Sequence, residues 1–178
     1  AECAPRVMPY SIDEAFLDLT GIDSVVSYLD FGHHVKELVR IWTGLPICIG
    51  IAPSPTLAKL ANHAAKHYPA TRGVVDLTDR DRQRRLMHLT PVEEVWGIGR
   101  KLSKRLDALG IKTALDLADS DPKWIRDHFS VVVERTVREL NGIPCHSDLL
   151  EVAPAKQQIL CSKSFGAPVT DLNSMLAA

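Results

Sequence analysis

The chain has 178 residues, of which 46% are hydrophobic and 24% charged, a composition typical of a soluble globular protein. Its formal net charge is −1, so any affinity for nucleic acid must come from a local group of charges and donors. No apolar run approaches the roughly 20 residues that cross a bilayer, and the widely separated cysteines form no CxxC pair. These features predict a cytoplasmic protein without a membrane anchor, a disulfide framework or a zinc site.

The first part of the chain, up to about residue 77, alternates strand-like and helix-like segments. Hydrophobic spacing and turn residues divide it into extended runs around a turn over 6–20, a helix over 23–42 broken near Gly32, a strand over 46–51, a helix over 56–67 and a strand over 74–77. Strands interleaved with helices predict an α/β or α+β layer.

After residue 78 the strand signals end, and short helices follow one another with Pro and Gly between them. We predict helices over 80–89, 99–109, 113–119, 122–128 and 131–140. The succession indicates a small all-helical domain over 78–142, followed by a linker over 143–156. Alternation resumes from residue 157, which predicts the opening strand of a third unit that the chain end cuts off.

Two adjacent carboxylates, Asp13 and Glu14, follow the first extended run. Like charges this close repel each other unless a cation joins them, and Mg²⁺ prefers carboxylate oxygens. On an ideal strand the two side chains would point to opposite faces, so a shared site needs a turn or a bulge. A solvated hairpin turn is the alternative explanation of this pair.

The helix over 56–67 places Lys59, Asn62 and Lys66 on one face, and leucines and alanines on the other. Lys59 lies in the predicted first turn, where the helix macrodipole favours a phosphate. On the pattern alone, an ordinary amphipathic helix with a solvated lysine is the favoured explanation. His63 and His67 have metal-ligand spacing without a third ligand, so we interpret them as structural.

A glycine-hydrophobic-glycine turn, made of Gly97, Ile98 and Gly99, separates two predicted helices. Glycines let a backbone approach a phosphate closely, and amides at the next helix start can donate to it. We expect this turn to offer amides, and the following helix to add positive charge from Arg100, Lys101 and Lys104. This helix-hairpin-helix pattern predicts a grip on a nucleic-acid backbone without base reading, the alternative being a solvated basic turn.

The run Ser-Ile-Asp-Glu-Ala-Phe-Leu-Asp over residues 11–18, preceded by Tyr10, resembles the second metal-binding motif of Y-family translesion DNA polymerases. The lysine helix and the glycine turn follow in that family's order. The resemblance implies that Asp13 and Glu14 hold two Mg²⁺ ions with an aspartate of an earlier strand, and that Lys59 binds the triphosphate of the incoming nucleotide. Only Glu2 lies upstream, so we expect this chain to be an internal fragment that binds but does not polymerise.

The same resemblance assigns an α+β fold in three parts. Residues 1–77 would be the C-terminal part of a palm with a mixed sheet, 78–142 a helix-hairpin-helix thumb, and 157–178 the truncated start of a little finger. In the last part, Lys163 and Ser164 would meet the template backbone.

Residues 58–66, 95–100 and 137–140 resemble the UmuC branch of the family. This branch implies error-prone translesion synthesis in the bacterial SOS response, on primer-template DNA with deoxynucleoside triphosphates. It also implies accessory subunits and a sliding clamp as partners. Two alternatives remain from the residues: a non-catalytic helix-hairpin-helix DNA-binding module, and a Mg²⁺-dependent hydrolase that uses Asp13 and Glu14.

Overall fold

The computed structural model describes residue 4 and residues 6–145. The strands and α-helices of this part are, in chain order, β1 (Arg6–Pro9), β2 (Ala15–Asp18), α1 (Tyr28–Thr43), β3 (Ile49–Ile51), α2 (Pro55–His67), β4 (Val74–Asp76), α3 (Arg80–Leu89), α4 (Arg100–Asp107), α5 (Ala114–Ala118), α6 (Pro122–His128) and α7 (Val131–Leu140). Strands and helices interleave first and helices alone follow, which confirms the predicted α+β class. Within the part just given, no helix has the length and apolar character of a membrane span.

Strands β1 and β2 form an antiparallel hairpin, as the two extended runs predicted. Residues 10–14 make the turn between them. It is closed by the amides of Tyr10 and Ser11, which donate to the Glu14 carbonyl oxygen at 2.9 and 3.0 Å. The predicted turn at the carboxylate pair is therefore present.

Helix α1 runs without interruption through Gly32, where the sequence predicted a break. The discontinuity lies earlier, because Ser27 caps the helix by accepting a hydrogen bond from the Asp30 amide at 3.1 Å. Gly32 instead packs against the sheet of β3 and β4, where a Cβ would lie 2.6 Å from Cγ1 of Val74. The prediction of a break was wrong because this glycine serves close packing of helix on sheet.

Strands β3 and β4 pair in parallel, and α2 connects them and packs on their sheet. The contact is closest at Gly50, where a Cβ would lie 2.2 Å from the Ala58 carbonyl oxygen. Small helix side chains make this approach possible, and they share one buried cluster with the sheet: Ala61, Ala64, Ala65, Val75 and Leu77. The predicted inward face of small residues is confirmed.

The helices after β4 enclose a second buried cluster. Its members from this region are Met87, Val92, Val95, Ile98, Leu106, Ile111, Ala114, Leu117, Ala118, Ile125, Val133, Val137 and Leu140. Two leucines of α2, Leu57 and Leu60, belong to the same cluster. Helix α2 therefore packs on the sheet with one face and in the helical core with another, and a division near residue 77 stays a prediction.

Glu139 of α7 joins the helical region to the start of α2. Its side chain is 0% exposed, and its two carboxylate oxygens accept hydrogen bonds from the amide of Thr56, at 2.9 Å, and from the amide of Cys145. Its backbone carbonyl accepts from the hydroxyl of Ser54, the N-cap of α2, at 2.6 Å. A carboxylate is favourable here because the first helical amides lack partners and the helix dipole is positive.

A second cap orders the helical hairpin. Thr113 is the N-cap of α5: its hydroxyl accepts a hydrogen bond from the Asp116 amide at 3.1 Å, and its amide donates to the Asp116 carboxylate at 2.8 Å. The hydrogen bond from the Thr113 amide is the largest cause that holds the pKa of the Asp116 carboxyl below its usual value. The preceding residue, Lys112, accepts from the Val92 amide at 2.8 Å, so the loops before α4 and before α5 lie side by side.

Candidate active site and nucleic-acid interface

The turn between β1 and β2 presents two carboxylates with different partners. Asp13 is exposed and accepts a hydrogen bond from the Ser11 hydroxyl at 2.7 Å. Glu14 is partly buried, with 31% of its side chain exposed, and pairs with Nζ of Lys59 at 2.6 Å. The structure thus brings Glu14 and Lys59 together, while Asp13 bonds within its own turn.

The donor chemistry of this turn suits a hard divalent cation, because two adjacent residues offer carboxylate oxygens and one of them is accessible. Over residue 4 and residues 6–145, however, no group of three or more His, Cys, Asp and Glu side chains is placed to hold a metal ion. Asp13 and Glu14 therefore fit a metal as part of a ligand set, which water, a nucleotide phosphate or another protein segment must complete.

Lys59 is surrounded by three aromatic rings. Its Nζ lies 4.6 Å from the ring centroid of Tyr10, 5.8 Å from that of Phe16 and 5.5 Å from that of Trp96. These rings, here called the aromatic cluster, also contact one another, with centroid separations of 5.7, 5.5 and 6.2 Å. Cation–π attraction therefore stabilises the ammonium group beside its ion-pair partner Glu14.

The aromatic cluster draws on three separate segments. Tyr10 begins the turn, Phe16 lies on β2, and Trp96 directly precedes the glycine turn of the helical region. Sequence reasoning selected Lys59 but missed its aromatic neighbours. Tyr10 and Phe16 flank the carboxylates on both sides, which was a usable signal, whereas nothing local to Trp96 indicates its contact with α2.

The start of α2 differs from the expectation in one respect. The helix begins at Pro55, so Lys59 lies beyond its first turn, and the first amides already bond to Ser54 and Glu139. The negative charge at this helix terminus is the protein's own carboxylate. The reason for Lys59 to meet a phosphate is therefore its own charge rather than the helix dipole.

The glycine turn has one residue inside the protein and two outside. Gly97 has φ +86°, a conformation that other residues rarely adopt. Ile98 is 5% exposed, and its amide donates to the Val95 carbonyl at 2.9 Å, so the amide predicted to meet a phosphate is engaged within the turn. Gly97 and Gly99 are exposed, and a Cβ on either would have no neighbour within 4 Å.

Helix α4 begins after Gly99 without a side-chain cap. In the part of the chain that the structure describes, the amides of Gly99, Arg100 and Lys101 have no hydrogen-bond acceptor. Arg100, Lys101 and Lys104 are exposed and take part in none of the ion pairs of that part. Unpaired amides, a positive helix end and these side chains together favour an anion at this place.

Arg105, the next basic residue of α4, has a structural role instead. Its guanidinium lies 4.7 Å from the ring centroid of Phe129 and donates to the His128 carbonyl at 2.9 Å. This residue fastens α4 to the end of α6. Because Arg105 is engaged in these contacts, the positive charge that α4 offers to a ligand comes from the three residues named above.

His63 and His67 stack with ring centroids 4.0 Å apart, and Nδ1 of His67 lies 2.8 Å from the His63 carbonyl oxygen. Burial lowers the pKa of His63, and His67 adds to this effect, while the Glu94 carboxylate at 3.5 Å opposes it. The contacts agree with a structural role for the pair. Lys163 and Ser164, the predicted template contacts, lie outside the described residues.

Comparisons with known proteins identify the family. The impB/mucB/samB family matches residues 1–63, and the HHH motif of the same family matches residues 79–111. Protein UmuC of Salmonella typhimurium is 58% identical over 178 residues, and Protein ImpB of Salmonella typhimurium is 54% identical over 174 residues. The chain belongs to the impB/mucB/samB family. The match to UmuC covers 99% of this chain but only 42% of UmuC. The match to ImpB covers 97% of this chain and 41% of ImpB.

More distant relatives of this chain include proteins named DNA polymerase IV. DNA polymerase IV 1 of Halalkalibacterium halodurans is 34% identical over 142 residues, which are 80% of this chain and 33% of that protein. The much higher identity to UmuC confirms the predicted branch within the Y-family.

Two solved structures share the fold. The insertion ternary complex of Dbh DNA polymerase has a TM-score of 0.62 at 23% identity, and DinB from Sulfolobus solfataricus has a TM-score of 0.61 at 23% identity. Each match covers 78% of this chain and 40% of the other chain. The likeness supports the predicted polymerase fold.

Proposed function

We propose that this chain is part of a longer, error-prone, template-directed DNA polymerase, similar in length to its UmuC-like relatives. This polymerase synthesises DNA past damaged bases in the bacterial SOS response. Its substrates are primer-template DNA and a deoxynucleoside triphosphate. The proposal includes accessory subunits and a sliding clamp as partners, and a cytoplasmic location. One observation carries it: Lys59, which pairs with Glu14 of the carboxylate turn, is also in contact with Trp96 beside the glycine turn.

In the proposed site, Asp13 and Glu14 hold divalent metal ions, with magnesium preferred because both ligands are carboxylates. Bound ions of this kind neutralise phosphate charge and favour the ionised form of an attacking hydroxyl. Glu14 then has a partner other than Lys59. The ammonium group of Lys59, whose side chain is 17% exposed and already near the turn, becomes available to the triphosphate of the incoming nucleotide.

The proposed DNA contact lies at the start of α4. The amides of Gly97 and Gly99 donate to a phosphate, and Arg100, Lys101 and Lys104 supply positive charge around it. A backbone grip without base contacts suits a polymerase, because the enzyme must move along any sequence. Lys163 and Ser164 add a template contact in the third unit.

Primer extension by the whole polymerase tests the catalytic part of this proposal. We expect Asp13→Asn and Glu14→Gln each to lower the rate of nucleotide incorporation about a hundredfold or more, because metal charge stabilisation contributes several kcal/mol. Asp18→Asn is the matched control, since Asp18 lies in the same hairpin but accepts its hydrogen bonds from Thr20. Wild-type rates in both test variants would reject the proposed site. A wild-type protein that binds DNA and never extends a primer would support the binding-module alternative instead.

The salt dependence of DNA binding tests the grip. Replacing Arg100 and Lys104 with alanine removes two charges, so the slope of log affinity against log salt should shrink by about 1.8. Lys123→Ala, an exposed lysine on α6, removes a basic charge outside the proposed interface. An unchanged slope in the double variant, or an equal effect per charge in the control, would reject the assignment.

A further inference from the structure

We infer that Trp96 is a positioning residue for Lys59. The segment that carries the glycine turn, which is proposed to bind DNA, therefore also fixes the position of the lysine that meets the incoming nucleotide. The inference rests on the proposed role of Lys59 and extends it to a residue of the helical region. It makes nucleotide binding depend on a segment whose sequence pattern points only to DNA.

The geometry of the aromatic cluster carries the inference. Tyr10 and Phe16 belong to the hairpin that also bears Glu14, whereas Trp96 comes from the loop before α4. The Trp96 ring lies 5.5 Å from Nζ of Lys59 and meets the Tyr10 ring edge-on, at 5.5 Å and 87°. Trp96 therefore contacts both Lys59 and a ring of the β1–β2 hairpin, which carries Glu14.

Two different forces hold Lys59 in this structure. The ion pair with Glu14 is one, and a cation bound to the Glu14 carboxylate would compete with it. The ring faces are the other, and they attract the ammonium electrostatically without using its N–H donors. A lysine side chain loses much rotamer freedom when it is ordered. Rings that already keep Lys59 in place therefore reduce the entropic cost of nucleotide binding.

Single-nucleotide incorporation by the whole polymerase tests this role. We expect Trp96→Ala to raise the KM for the nucleotide about three- to tenfold, the range of a partly buried cation–π contact, with a smaller effect on kcat. Trp96→Phe should recover most of the loss because it restores a ring. DNA affinity, measured by fluorescence anisotropy, should change less than about twofold. Trp124→Ala is the control, since this tryptophan stacks on His128 in α6 and should leave the KM unchanged.

A double-mutant cycle decides between positioning and mere packing. If Trp96 acts through Lys59, Trp96→Ala should raise the KM no further when Lys59→Ala is already present. Full additivity of the two substitutions would overturn the inference, and so would an unchanged KM in Trp96→Ala when Lys59→Ala raises it. An unchanged KM in Lys59→Ala itself would reject the proposed function of Lys59 instead. Because nucleotide binds only the folded protein, reversible partial unfolding would also raise the apparent KM, so the KM is measured at a temperature at which thermal denaturation shows every variant fully folded.

Discussion

Replacing Glu139 with glutamine keeps the shape of a fully buried side chain but removes one of its two acceptor oxygens. In the native protein those oxygens accept from the Thr56 and Cys145 amides. In the variant, the carboxamide NH₂ faces one of these donors. The loss is one charge-assisted hydrogen bond, about 1.5–3 kcal/mol, and part of the favourable interaction with the start of α2, about 0.3–1 kcal/mol. We expect the free energy of unfolding to fall by about 2–4 kcal/mol.

Urea denaturation at neutral pH, followed by tryptophan fluorescence, measures this loss. Glu134→Gln is the matched control, because Glu134 lies on the same helix and is also buried, but its partners Arg126 and Arg138 are 60% and 47% exposed. We expect the control to lose less than about 1 kcal/mol, as for ion pairs open to solvent. Equal losses in the two variants, or a loss below about 1 kcal/mol in Glu139→Gln, would refute the claim that Glu139 joins α7 to α2.

Two further predictions concern close packing and pH. Gly50→Ala places a Cβ 2.2 Å from the Ala58 carbonyl oxygen and should cost about 2 kcal/mol or more in urea denaturation. Gly99→Ala, with φ −80° and no neighbour within 4 Å, loses only the preference for glycine over alanine at the N-cap of α4 and should cost less than about 1 kcal/mol. Similar losses would contradict the contact of α2 with β3. Because the folded pKa of Asp116 is lowered, its stabilisation is present above the unfolded pKa of about 3.9 and is lost as pH falls through the folded pKa. The difference in Tm between wild type and Asp116→Asn should therefore be largest near neutral pH and shrink in acid, and a pH-independent difference would count against the capping box.

The sequence predicted the later helices well, because their ends are marked by side chains that act locally. The predicted ranges 80–89, 122–128 and 131–140 agree with α3, α6 and α7. Asp79, Asp121 and Ser130 each accept a hydrogen bond from an amide of the first turn. Such caps can be recognised from a few neighbouring residues.

Gly32 shows where local reasoning fails. A glycine inside a helix pattern indicates a break when only propensity is considered. Its actual role depends on Val74, a residue far along the chain that approaches the helix only in the folded protein. The same cause explains Glu139, whose burial against the start of α2 no local pattern indicates.

The candidate site was predicted in part. The turn at Asp13 and Glu14 and the inward face of α2 follow from residue spacing, and Lys59 does lie beside one of the two carboxylates, that of Glu14. The aromatic cluster was missed because Trp96 reaches Lys59 through tertiary packing. The inward position of Ile98 was also missed, although an apolar residue between two glycines could have indicated it.

The most direct test of the central claim is a crystal structure of the whole polymerase with primer-template DNA, an incoming nucleotide and Mg²⁺. We predict that carboxylate oxygens of both Asp13 and Glu14 lie about 2.0–2.5 Å from bound metal. We also predict the Lys59 ammonium on the triphosphate, no longer paired with Glu14, and a DNA phosphate at the start of α4. Metal bound elsewhere, or Lys59 still paired with Glu14 while a nucleotide occupies the site, would contradict the central claim.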